Sequence, residues 1–274
     1  MLTDYHVHLR PDDPDASPAE YFTTENVERY LAAASEAGIR ELGVSEHVDR
    51  FTDALEIWDH PAWRDNARDD LDDYCAFVRS TPLRLGIEMD YLVGREDGIG
   101  ALLDAHEFDY VVGSVHFIRD RAVDWDVYDV WEAVRDPDRV WGLYFEALEA
   151  AVRSGLYDIL AHPDLVKVWG DQRPTPRRDP RFYYEPTVEA IAETGIAVEV
   201  STAGLHKPVG ELYPSDAFAE MCVDAGASFA LSSDAHVPED VGRDYDRAVE
   251  RMGEWGIAEI AVFERRRRRM EPLG

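Results

Sequence analysis

Cysteine and lysine are nearly absent from this chain of 274 residues: it holds Cys75 and Cys222, and Lys167 and Lys207, beside 26 arginines. Two cysteines far apart, without metal-type spacing, exclude a disulfide-stapled scaffold, and both read as reduced core residues. Positive charge is also scarce, with 28 basic against 57 acidic residues for a formal net charge of -29. That removes the basic footprint on which binding to long DNA or RNA depends. No apolar run approaches membrane-spanning length, and the N-terminus lacks the basic-then-apolar pattern of a signal peptide. The expectation is a soluble cytoplasmic protein with no membrane partner. Its acidity suits a very soluble or salt-adapted surface. The same field would repel a small phosphorylated substrate unless bound cations reverse the sign locally.

Short apolar, β-branched runs alternate with amphipathic helical stretches from end to end, which predicts β/α units around a largely parallel sheet. Strands are expected at 2–8, 41–44, 83–89, 110–113, 159–161, 197–200 and 229–231. Helices are expected at 25–37, with Thr24 as N-cap and Gly38 as stop, and at 140–153, 186–193 and 215–224. Gly38, Gly155, Gly195 and Gly226 each fall between a helix and the next strand, a closed-barrel or doubly wound signature. Inserts at 51–80, 118–139 and 166–181 read as loops or short helices over one end of the sheet. One domain spans 1–264. The five arginines Arg265 to Arg269 open a basic C-terminal tail, 265–274, read as solvated.

Two histidines one residue apart, His6 and His8, close the first strand. Strand side chains alternate faces, so both rings point the same way and can grip one metal ion. Alone, the pair suits two buried, hydrogen-bonded histidines equally well. The pattern recurs, however. Glu46-His47 follow the second strand, Glu88 closes the third, His116 follows the fourth, and His162 and Asp164 follow the fifth. Glu199 sits in the sixth, and Ser232-Ser233-Asp234-Ala235-His236 leaves the seventh. In parallel β/α architectures the carboxyl ends of the strands form one active face, so these scattered residues should converge. Counting His206, which follows the sixth strand, seven of nine histidines fit this pattern; His60 and His106 do not, and they read as surface or capping residues.

Imidazole and carboxylate without thiolate suit zinc, manganese or iron, with open positions for water and substrate. Glu88 can bridge two cations, which would clamp a phosphoryl group and turn water into hydroxide near neutral pH. Glu199 reads as a partner that orients a ligating histidine. Lys167, Lys207 and His206 are candidate phosphate contacts, and His206 and Asp164 candidate proton donors to a leaving alkoxide. No Gly-x-Ser-x-Gly elbow and no Cys-x5-Arg loop supplies a protein nucleophile.

The strings Asp4-Tyr5-His6-Val7-His8, Glu46-His47, Gly86-Ile87-Glu88-Met89-Asp90, Val112-Gly113-Ser114-Val115-His116, Ala161-His162-Pro163-Asp164-Leu165, Ser201-Thr202-Ala203-Gly204-Leu205 and Ser232-Ser233-Asp234-Ala235-His236 occur in that order. With them the chain resembles the polymerase and histidinol phosphatase (PHP) superfamily, and within it the histidinol-phosphatase branch. The resemblance implies an α/β fold, a distorted (β/α)7 barrel with its metal site at the C-terminal ends of the strands. It also implies two or three divalent metal ions and hydrolysis of phosphate esters. By that pattern His6, His8, Glu88 and Asp234 hold one metal, Glu88, His116 and His162 a second, and His47 and His236 a third. Family members commonly carry a Cys-Gly-His segment after the first strand. This chain has Arg10-Pro11-Asp12-Asp13-Pro14-Asp15, which makes Asp13 the candidate oxygen ligand in its place. His206 stands where arginine often appears, and Glu46 where aspartate is common.

The expected activity is a metal-dependent phosphomonoesterase that cleaves histidinol phosphate with a metal-bound hydroxide. One rival is a nucleotide phosphatase or nuclease of the same superfamily, with Trp58, Trp63, Trp125 or Trp169 stacking a base. Another is an amidohydrolase-type barrel, which normally needs a modified lysine on a middle strand, where this chain has none. A third is a metal-stabilised binding module, whose site would be coordinatively closed.

Overall fold

Seven parallel strands pair in chain order: β1 (Thr3–Asp4), β2 (Glu41–Val44), β3 (Arg84–Asp90), β4 (Tyr110–Ser114), β5 (Ile159–Leu160), β6 (Ala197–Ser201) and β7 (Ser228–Ser232). They are seen in a computed structural model that describes residues 1–13 and 16–274. Every residue of β4 and β6 is buried, as expected of strands covered on both faces. The sheet curls until its ends meet. Val7 bridges Ala235 in parallel, with the His8 amide donating to Ala235 O at 2.8 Å and the Ala235 amide to His6 O at 3.3 Å. The result is a nearly closed, distorted (β/α)7 barrel, as the sequence led us to expect.

The first strand is shorter than expected, two residues of regular ladder instead of seven. Asp4 explains the break: its carboxylate accepts from the main-chain amides of His6 and Ser233, at 3.4 and 3.1 Å, and from Ser233 Oγ. The barrel interior is filled by aromatics. Tyr5 and Tyr110 lie 4.8 Å apart, and the Tyr110 hydroxyl donates to Val44 O at 3.0 Å. Gly43 and Gly86 make room for that ring, since a Cβ at either would come within 2.3 Å of it.

Thr24–Glu36 forms the first long helix, capped by Thr23 rather than Thr24 through a 3.1 Å hydrogen bond from the Asn26 amide. The helix expected from Pro186 runs over Arg181–Thr194 with the proline inside it. Tyr183 and Tyr184, packed on Trp141 and Phe145, carry the extra turns and offset the missing amide. Leu71–Arg79, Glu96–Asp104 and Tyr245–Glu254 are further helices. None is long and apolar enough to cross a membrane, among the described residues.

The arginine run is no loose tail. Glu259–Glu264 (β8) and Arg267–Pro272 (β9) form an antiparallel hairpin in full register across the N-terminal mouth of the barrel. Arg84, which opens β3, pairs with Glu264 at 2.9 Å. The Arg265 and Arg266 amides donate to Asp109, just before β4, and Arg266 reaches Asp158 Oδ2 and Leu156 O, just before β5, at 2.8 and 2.7 Å. Arg268 donates to Gly195 O and to Ser228 Oγ, at the foot of β6 and β7. The run stays largely exposed, as expected of a solvated segment, but acceptors supplied by distant loops make it a paired clasp instead of a tail.

Candidate metal centre

The opposite mouth gathers the histidines. Glu88, third from the end of β3, is buried at their centre. Its Oε2 lies 3.2 Å from His6 Nε2 and 2.5 Å from His47 Nδ1, while its Oε1 lies 3.2 Å from His162 Nε2 and 3.5 Å from His116 Nε2. The two oxygens thus serve two sides of one cluster. Asp234 Oδ1 stands 3.6 Å from His6 Nε2 and 3.3 Å from His8 Nε2. His8 is sandwiched between His47 and His236, each ring 4.2 Å away, and His47 Nε2 faces His236 Nε2 at 3.4 Å.

Outer carboxylates set which ring nitrogen points inward. Glu199 Oε1 accepts from His6 Nδ1 and Ser232 Oγ, both at 2.7 Å, and Oε2 takes the His162 amide at 2.6 Å. His6 therefore turns its Nε2 lone pair to the cluster. Asp90 does the same for His116, accepting from Nδ1 at 2.8 Å and from the amide at 3.2 Å. Glu46 accepts the amides of Leu9 and Arg10, at 2.6 and 3.1 Å, and is held by Arg50. This carboxylate–histidine pairing is the usual support of metal ligands.

The site fits cations on two counts. His6 Nε2, both ring nitrogens of His8, Glu88 Oε2 and His162 Nδ1 are buried and make no hydrogen bond of adequate geometry, even where polar atoms crowd close, a state that costs free energy unless something else binds them. In addition, four triads place their donor atoms within 4.8 Å of one another: His6/His8/Asp234, His6/Glu88/His162, His47/Glu88/His116 and His8/His47/His236. Without cations the cluster stores protons. Burial opposes charge on His6, yet Glu199, Glu88 and Asp234 raise its pKa well above the usual value. Burial is likewise outweighed at His116 by Asp90 and Glu88, and at Glu88, whose pKa falls well below the carboxylate range, by His47 and His6. His8 moves the other way, driven down by burial and by His236 and His47.

Asp12, Asp13, Asp49 and Asp124 with Trp125 wall a cleft of about 420 Å³ over His47 and His116. Asp12 Oδ1 lies 2.8 Å from Arg50 Nη2 and 3.5 Å from His236 Nε2, and Asp13, the ligand expected from the sequence, lines the same cleft. Pro14 and Asp15 lie outside the described residues. Asp164 is buried beside the rim and accepts from the Ser215 amide at 2.8 Å and Lys167 Nζ at 3.1 Å. His206 is elsewhere: it pairs with Asp244 at 2.6 Å, and Lys207 is exposed next to it. His60 caps the short helix Pro61–Asn66, as expected, and both cysteines are unpaired. Burial pushes the Cys75 thiol up to about 12. Of the four tryptophans proposed to stack a base, Trp63 and Trp58 are buried in the core, Trp169 donates to Val123 O, and Trp125 faces the cleft.

Of the carboxylates around the cluster, Glu199 was readable in the sequence and does orient His6, whereas Asp4 and Asp90 were missed although their signal was present. Asp4 and Asp90 sit two positions before His6 and after Glu88, on the same strand faces. Arg50 lies one helical turn beyond Glu46. Tyr213, edge-on to His162 at 6.2 Å, has no such signal, because it arrives from a distant loop.

Comparison with known proteins places this arrangement. The PHP domain model matches residues 19–203. A Deinococcus radiodurans protein named "probable histidinol-phosphatase" is 29% identical over 279 aligned positions, covering 99% of each chain. The Bacillus subtilis histidinol-phosphatase is 24% identical, covering 90% of this chain and 98% of its own. The fold is shared with the Lactococcus lactis histidinol phosphate phosphatase solved with zinc, L-histidinol and phosphate, at a TM-score of 0.76 and 20% identity over 98% of both chains. With seven strand ends converging on one histidine and carboxylate cluster, and the family model spanning most of its length, this chain belongs to the PHP domain family.

Proposed function

We propose that this protein is a metal-dependent phosphomonoesterase that hydrolyses histidinol phosphate to histidinol and phosphate. The observation that carries the reading is the cluster itself: imidazoles and carboxylates from six of the seven strand ends meet around Glu88, with Glu199 of β6 behind His6, and leave buried nitrogens without well-formed hydrogen bonds. Relatives named histidinol-phosphatase along nearly the whole chain support the substrate. His6, His8 and Asp234 would hold one divalent ion, Glu88, His116 and His162 a second, and His47 and His236, with Asp12 or Asp13 beside them, a third. Zinc, manganese or iron bound there would supply Lewis acidity toward a phosphate ester and lower the pKa of water.

The chain's own residues do the rest. Glu199 and Asp90 fix the tautomers of His6 and His116, so their lone pairs are set before substrate arrives. Exposure of the cluster is confined to the side of His47, His116, Asp234 and His236, with side chains 14–26% accessible, and the ester enters there. Carboxylates in that cleft suit a substrate with a cationic amine and imidazole, once ions on the cluster reverse the local field for its phosphate. Asp164, held by Lys167, is the better placed of the two candidate proton donors, since His206 is committed to Asp244. Lys167 supplies positive charge at the same wall.

Steady-state assays of the metal-loaded protein with histidinol phosphate, nucleoside monophosphates and 3′,5′-bisphosphates test the reading. Histidinol phosphate should give the highest kcat/KM. A preference for a nucleotide would transfer the function to the rival that Trp125 favours.

A further inference from the structure

We infer that the Tyr213 hydroxyl donates a hydrogen bond to a phosphoryl oxygen of the bound ester, a role that rests on the phosphatase reading above. Tyr213 is fixed by its main chain and by its ring. It pairs both ways with Ser201 at the end of β6, donating at 3.0 Å and accepting at 2.7 Å. The ring stands edge-on to His162, with centroids 6.2 Å apart and planes at 69°, and Lys167 Nζ lies 5.3 Å from its centre. Gly204 gives it room, since a Cβ there would meet the ring at 2.9 Å.

So tightly held a ring should satisfy its hydroxyl, yet the residue is 1% exposed and the hydroxyl has no hydrogen-bond partner. One other buried tyrosine hydroxyl shares that state among the described residues, on Tyr157, and its ring is packed against Gly113 and Tyr91. Tyr213 alone of the two borders a cluster histidine. Lys167 Nζ flanks the ring, and Asp164, Asp124 and Asp234, from three separate loops, surround this side of the barrel. The Tyr213 ring lies against His162, a member of the candidate ligand set, so the unpartnered hydroxyl belongs to the wall of the reaction centre. Buried among carboxylates it stays O–H, and a donor needs an acceptor that none of the neighbouring side chains provides.

A phosphoryl oxygen is such an acceptor. A neutral hydroxyl also suits a place beside several cations, where an ammonium would be repelled. Other donors near this wall are engaged: Lys167 with Asp164, Glu211 and Leu212 O, and His206 with Asp244. Tyr213 makes and breaks no covalent bond. It directs one hydrogen bond at an oxygen on which charge develops.

Replacing Tyr213 by phenylalanine removes one oxygen and keeps the ring. In zinc-loaded protein, Tyr213→Phe should lower kcat/KM about a hundredfold for both histidinol phosphate and p-nitrophenyl phosphate. The affinity for inorganic phosphate, read by calorimetry, should fall about tenfold, with zinc content and melting temperature unchanged. Wild-type turnover together with wild-type phosphate affinity would overturn the assignment. So would a parallel loss of zinc and melting temperature, which would make the tyrosine a structural prop. If the wild-type protein cleaves p-nitrophenyl phosphate and ignores histidinol phosphate, the substrate reading fails, while the comparison on the first ester still decides the role of Tyr213.

Discussion

The two mouths of the barrel use the same charged residue types for opposite ends. At the N-terminal mouth charges meet complements: Arg266 lies on Asp158, Arg84 on Glu41 and Glu264, and Arg79 on Asp109. At the C-terminal mouth the donors crowd one another, ring nitrogen against ring nitrogen and carboxylate against buried imidazoles, with several atoms left unmatched. A matched mouth holds the strands together. An unmatched one holds an unfilled demand, and a demand of that kind marks a place for a ligand.

The largest effect that would break this contrast is at Glu88. Glu88→Ala should abolish turnover, a loss of at least about a thousandfold, and lower bound metal as read by elemental analysis. A fully active variant would dismiss the bridging role. Removing the ions with a chelator should also silence the enzyme, and zinc or manganese should restore it. His6, His47 and His116 have raised pKa values in the metal-free protein, so they hold protons near neutrality that an incoming cation must displace. Metal affinity should therefore fall as pH falls. Titrations in buffers of different ionisation enthalpy would show the released protons, and no release would refute the charge states described.

Next in size is Glu199→Gln, which keeps the shape but weakens the hold on His6. It should cost about 10- to 100-fold in metal affinity or activity. At the other mouth, Arg266→Ala should lower stability by about 2 kcal/mol in denaturant unfolding, since it cuts hydrogen bonds to Asp158 and Leu156, and should leave kcat alone. A change in kcat there would blur the division between the mouths. The smallest effect concerns the turn between β8 and β9, where Arg265 holds φ at 49° and Arg266 at 58°. Arg265→Asn, better suited to that left-handed region, should raise stability by about 0.5 kcal/mol.

Legibility in the sequence followed the same division. Ligand candidates were readable because strand periodicity and the rule that parallel strands point one end at a common face are local and topological facts. His6, His8, Glu88, His116, His162 and Asp234 do meet, as expected. The hairpin was misread because an arginine run carries no apolar alternation, and its partners Asp109, Asp158 and Ser228 lie forty or more residues upstream. His206 pairs with Asp244, a contact that nothing near it in the chain announced.

Composition and order alone determined that this is an acidic α/β chain whose strand ends carry metal-binding groups, because alternation and the direction of β/α units follow from backbone geometry. Only the tertiary structure decided which carboxylate orients which imidazole, that Asp12 approaches His236, and that Tyr213 stands at His162. Those relations depend on loops of different length folding back over one mouth, and a distance across a barrel is written in no single stretch of residues.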